Sequence, residues 1–109
     1  MTAEDLDQAL RAILGRHQLT ATVTAEIPKQ APGPALFALD NLRDRDAPAQ
    51  AIPHTRLRAC VAALETAFQD HGLVPTPTAH TLPPQDPIPP GSLVGLAFLL
   101  TEPLDLSHK

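Results

Sequence analysis

Tryptophan and tyrosine are absent from this chain of 109 residues, cysteine and methionine occur once each, and only Phe37, Phe68 and Phe98 are aromatic. Proteins that grip nucleic acid need cationic side chains on the phosphates and, for single strands, aromatic platforms for the bases. Here the net charge is −4 and no basic cluster exceeds Arg56 and Arg58, so no nucleic-acid partner is expected. One cysteine excludes an internal disulfide and a thiolate zinc site. Cys60 falls among apolar residues of an expected helix, where a buried thiol is a better reading than a reactive one. No apolar run approaches the length of a membrane span, and the start, Met1-Thr2-Ala3-Glu4-Asp5, is acidic where a secretory signal would be basic. No membrane association is expected, and the location expected from these absences is the cytoplasm.

What the chain does have is internal similarity. A shift of 54 residues lays His71 and Leu73 on His17 and Leu19, Ala63-Leu64 on Ala9-Leu10, and Thr76, Thr78 and Ala79 on Thr22, Thr24 and Ala25. Residues 9–25 thereby carry seven identities in seventeen positions. Four further residues of loop bring Pro90-Gly91 onto Pro32-Gly33. The thirteen prolines cluster between patterned segments, which is punctuation within a fold rather than low complexity.

The hydrophobic pattern repeats with the residues. Residues 2–16 read as a helix with Thr2 as N-cap and Leu6, Leu10, Ile13 and Leu14 on one face. Residues 19–27 alternate strictly, Leu19, Ala21, Val23, Ala25 and Ile27 against Thr20, Thr22, Thr24 and Glu26, as in a strand with one packed and one wet side. After a proline turn comes a short apolar strand over 35–39 and a charged loop over 40–46. The cycle restarts with a helix over 53–70, carrying Leu57, Cys60, Val61, Leu64 and Phe68 on one face, and Gly72 where a left-handed residue ends the helix. A strand over 73–82 contains Pro75 and Pro77, whose missing N–H groups confine it to a sheet edge. The apolar stretch 93–100 suits a central strand. Leu10, Val23, Leu64 and Phe68 are expected to be almost fully buried.

The expectation is one α+β domain over residues 1–101, made of αββ repeats 2–40 and 53–101, followed by a loose tail over 102–109. This order of elements resembles a circular permutation of the ferredoxin-like sandwich, its first strand moved to the end. The resemblance is one of topology and rests on no family motif. It implies a two-layer structure: a four-stranded antiparallel sheet in the order 3-4-2-1 with both helices on one face.

Two helices cover one face of such a sheet, so the other must be explained. If Val94, Leu96, Phe98 and Leu100 meet the helices, Leu93, Gly95, Ala97 and Leu99 line the open face, joined by Leu36 and Ala38 or else by Phe37 and Leu39. Thr22, Thr24 and Glu26 flank this trough on one edge strand, and Thr76, Thr78 and His80 on the other. An apolar trough of this kind calls for a second chain, a protein partner, a ligand, or coverage by the 83–91 loop or the tail. The leading expectation is a small interaction module that forms a homodimer or docks a partner through this face. The alternative is a dimeric ferredoxin-like enzyme or small-molecule-binding protein with His80 as base.

The remaining motifs have plainer readings. His17 and His71 fall at helix ends, where positive charge suits the dipole. Neither His54 nor His108 has metal-ligand spacing, and no metal or cofactor is expected. The acidic run through Asp40, Asn41, Asp44 and Asp46 lacks the glycine and closing glutamate of a calcium loop. Glu26 and His80, on opposite edge strands, would stand roughly 14 Å apart, too far for a shared proton within one chain.

Overall fold

A computed structural model of the chain describes residues 3–75 and 80–101. The elements run α1 (Ala3–Arg16), β1 (Leu19–Glu26), β2 (Gly33–Asp44), α2 (His54–Gln69), β3 (Leu73–Pro75) and β4 (Ser92–Leu100). It is an α+β fold: two helices and one four-stranded sheet, antiparallel throughout. From edge to edge the strands run β1-β2-β4-β3. Counted from the β3 edge, the same order reads 3-4-2-1. Thr2, the expected N-cap, lies outside the described residues, as do Thr76, Thr78 and the tail 102–109.

The period of each segment decides which side chains meet. On α1 the stripe Leu6, Leu10, Ile13 and Leu14 is buried, and on α2 the stripe Leu57, Cys60, Val61, Leu64 and Phe68. These join Ala35, Phe37 and Leu39 of β2 and Val94, Leu96, Phe98 and Leu100 of β4 in one continuous core. Both helices therefore share one side of the sheet. Phe68 bridges the layers, its ring centroid 5.1 Å from those of both Phe37 and Phe98. Burial pushes the Cys60 thiol up to about 11, which keeps it protonated.

Three expectations need correction. Val23 is only partly buried, because β1 is an edge strand and the helices do not reach fully across it. The strand expected to stop at Leu39 continues to Asp44, so the charged segment is largely sheet. A one-residue bulge makes this possible: the register of β2 slips against both neighbours, with Asn41 at φ 56°. The bulge turns Leu42 into the core and leaves Asp40 and Asn41 exposed. Lastly, the strand expected to reach Leu82 is not regular sheet at that end: β3 is Leu73–Pro75, with Pro75 opposite Phe98, and among the described residues that follow it Thr81 makes an isolated bridge to Gly95.

Arg56 ties these pieces together. From the first turn of α2 its guanidinium donates to the carbonyls of His17 and Gln18 beyond the end of α1, both at 2.8 Å, and to Asp44 Oδ2 at 2.6 Å. Asp44 Oδ1 meanwhile accepts from the N–H groups of Asp46 and Ala47. The start of α2 is capped from afar: Pro53 offers no side-chain cap, and Asp86 Oδ1 accepts from the His54 N–H instead. A carboxylate at that end also complements the helix dipole.

Two expected outcomes follow from this packing. Leu64→Ala should cost about 2–5 kcal/mol in chemical denaturation, the usual range for a fully buried leucine. The Arg56 hydrogen bond, followed by the Asp46 N–H, holds the Asp44 carboxyl below its ordinary value. Its stabilisation is thus complete above the unfolded value of about 3.9 and is lost as pH falls through the lower folded value. Asp44→Asn should be less stable than wild type near neutral pH, and the gap should close in acid. Parallel denaturation curves across that range check it.

Candidate open-face interface

Alternation on the central strands fixes what the face away from the helices carries. With Phe37 and Leu39 in the core, Leu36 and Ala38 point the other way; with Leu96 and Phe98 inside, Leu93, Gly95, Ala97 and Leu99 point outward. The register stacks them in rows. Glu26, Leu36 and Ala97 form one row, Thr24, Ala38 and Gly95 the next, and Pro34, Leu99 and Val74 a third. Small side chains make the floor, and larger ones stand around it. Leu36 is 46% exposed, Val74 45%, Leu93 59% and Leu99 39%. These four are the large exposed hydrophobic residues of the described chain, and all lie on this face.

Of the residues expected here, Thr22, Thr24 and Glu26 are exposed along β1, and Leu93, Gly95, Ala97 and Leu99 line β4. Thr78 lies outside the described residues. Leu36, Ala38 and Val74 complete the patch. Val74 shares the phase that the repeat gives Thr76 and Thr78, so its place on this face is readable from the alternation. Thr81, bridged to Gly95, continues that row at the other border, its Cβ standing 3.6 Å from where a side chain on Gly95 would begin.

His80 is not on this face. Its ring stacks 5.2 Å from Phe98, a core residue, and its Nε2 lies 3.2 Å from Glu65 Oε2 on α2. The Ala97 N–H donates to Nδ1 at 3.1 Å. An accepting Nδ1 places the neutral ring's proton on Nε2, which donates to Glu65. His80 thus occupies the edge of β4 from the helix side. Both ring nitrogens bond protein groups.

The 83–91 stretch does not cover the trough either. The Pro83 carbonyl bonds His54 Nε2, and Ile88 is buried and exchanges backbone hydrogen bonds with Ile52. That stretch folds against the start of α2. A shallow groove of about 520 Å³ remains there, bordered by His54, Arg58, Val61, Glu65 and Leu82. Its histidine and glutamate already bond protein groups, which leaves Arg58 without an ion pair among the described residues.

Comparison with protein-family models, curated proteins and solved structures finds no match. The functional reading therefore rests on the geometry. Among the described residues no three His, Cys, Asp or Glu side chains gather as a metal-ligand set, and no helix is long and apolar enough to cross a membrane.

The placement of His80 has a measurable consequence. His80→Ala removes both the acceptor for the Ala97 N–H and the ring against Phe98. It should lower stability by about 1–3 kcal/mol in denaturation, with no change in oligomeric state. A change in assembly mass at constant stability would mean that His80 belongs to an interface.

Proposed function

We propose that this protein is an interaction module whose uncovered sheet face binds a second copy of the chain. The observation that carries the reading is that every large exposed hydrophobic residue described lies on this one face. At about 25 cal/mol per Å², a few hundred Å² of such surface represents several kcal/mol of unused burial. A lone two-layer domain has no use for it. Polar threonines along β1 would form the rim, and the floor of Ala38, Gly95 and Ala97 would let another sheet approach closely. A second copy offers the same large residues beside the same small floor, so ridges on one face meet hollows on the other under a twofold axis.

The finer architecture is part of the proposal: two αββ units in a permuted ferredoxin-like arrangement. Backbone detail supports the repeat. Gln18 and Gly72, 54 residues apart, both have positive φ, 59° and 79°. The Gln18 carbonyl accepts from the N–H of Arg45, just past β2, and the Gly72 carbonyl from that of Thr101, just past β4. Each unit thus closes with the same hydrogen bond at the same place.

Ala97→Glu puts a charge on the floor of the trough. Burying it unpaired costs several kcal/mol, so the variant should sediment at a lower mass than wild type at micromolar concentration with its circular dichroism unchanged. Equal masses would place the contact elsewhere. A monomeric wild type would refute self-association.

A further inference from the structure

The two edges of the sheet are treated differently. At the β3 edge the described strand, Leu73–Pro75, carries a proline. Beyond it, β4 is closed by the Thr81 bridge and by His80 on the Ala97 N–H. Short strands, prolines and side-chain covers are the devices that keep an edge from pairing. β1 has none of these. It is eight residues long, rich in threonine, alanine and valine, free of proline and lysine, with one charged residue, Glu26, at its end.

The direction of its free groups follows from the ladder. Gly95 exchanges hydrogen bonds with Thr81, so its N–H and C=O face the β3 side. By alternation Val94, Leu96 and Phe98 face β2, their partners Leu39, Phe37 and Ala35 face β4, and Leu36, Ala38 and Asp40 face β1. Their partners Glu26, Thr24 and Thr22 point inward, leaving the N–H and C=O groups of Ala21, Val23 and Ala25 aimed away from the sheet. Among the described residues these groups have no backbone partner.

We propose that β1 pairs antiparallel with β1 of a second copy, about a twofold axis at Val23, to form a continuous eight-stranded sheet. This register sets Val23 opposite Val23 and Ala21 opposite Ala25, so all the outward groups bond reciprocally. It uses the full strand and keeps the two Glu26 carboxylates apart, each facing Thr20. Charge favours the same register. Thr20 pairs with Arg43 in the next strand on the same face, so each Glu26 arrives beside a cationic residue; toward the helix side Thr20 borders a hollow lined by Arg11 and Arg45. Ala21, half-buried at the rim of that hollow, extends the contact on the helix side. The inference is independent of the open-face reading, and together they describe a tetramer.

Ala25→Pro tests it. Ala25 is exposed, and its N–H points away from β2, so proline removes an outward donor and leaves the β1–β2 ladder intact. Two bonds vanish per symmetric contact, and edge association should weaken by roughly thirtyfold or more in sedimentation equilibrium. If the variant assembles as tightly as wild type, the proposal fails. Amide hydrogen exchange on wild type supplies a readout without any variant. Ala21, Val23 and Ala25 should exchange slowly at high concentration and fast on dilution; fast exchange throughout overturns the pairing. Combination with Ala97→Glu separates the contacts. An Ala97→Glu chain that still dimerises, and an Ala25→Pro/Ala97→Glu chain that is monomeric, assign that dimer to the edge. If the double variant retains it, the edge is excluded.

Discussion

Three phenylalanines contacting one another hold the two layers in register. Phe37 and Phe98 come from the central strands and Phe68 from α2, with centroid separations of 5.1, 5.8 and 5.1 Å. They are all the aromatic residues the chain has. Tilted and edge-on arrangements of this kind add to the area they bury. Because Phe37 and Phe98 must point toward α2, the alternation of both central strands is settled, and with it the identity of every side chain on the far face. A slip of one residue in either strand would send its ring into solvent and its small residues into the core.

The uncovered face is thus a by-product of where the rings sit. Leu36, Leu93 and Leu99 are exposed because their neighbours in sequence are not. What requires a separate cause is that these positions are leucine rather than threonine, as on β1. The same contrast holds at the borders of the sheet. One border is closed with proline, a histidine side chain and a stray bridge, whereas the other displays a regular strand with its hydrogen-bonding groups outward.

Much of this was legible in the sequence because period speaks plainly where one face is wet. The strict alternation of residues 19–27 located β1, and the leucine spacings located both helices. Legibility ended where the signal was not periodic. Asn41 gives no warning that β2 can absorb an extra residue and continue to Asp44, since a bulge depends on the strands at either side. The repeat lays His80 on Glu26 and so assigns it to the open face. The ring lies instead on the helix side, against Glu65 and Phe98. Asp86 capping a helix that starts 32 residues earlier is likewise invisible to local rules.

Arg56 has an implication for the stretch of chain it spans. Asp44 and Arg56 are covalently joined through the residues between them, and they are also joined directly by an ion pair at 2.6 Å. The second connection shadows the first. Ala49, Gln50 and Ala51, exposed in the middle of that stretch, therefore do not have to set the distance between β2 and α2 by their own conformation. Lengthening a flexible connection is cheap, about 0.6 kcal/mol for each doubling. This loop is accordingly where the fold can take up inserted sequence, and where new recognition elements could be added without disturbing either helix.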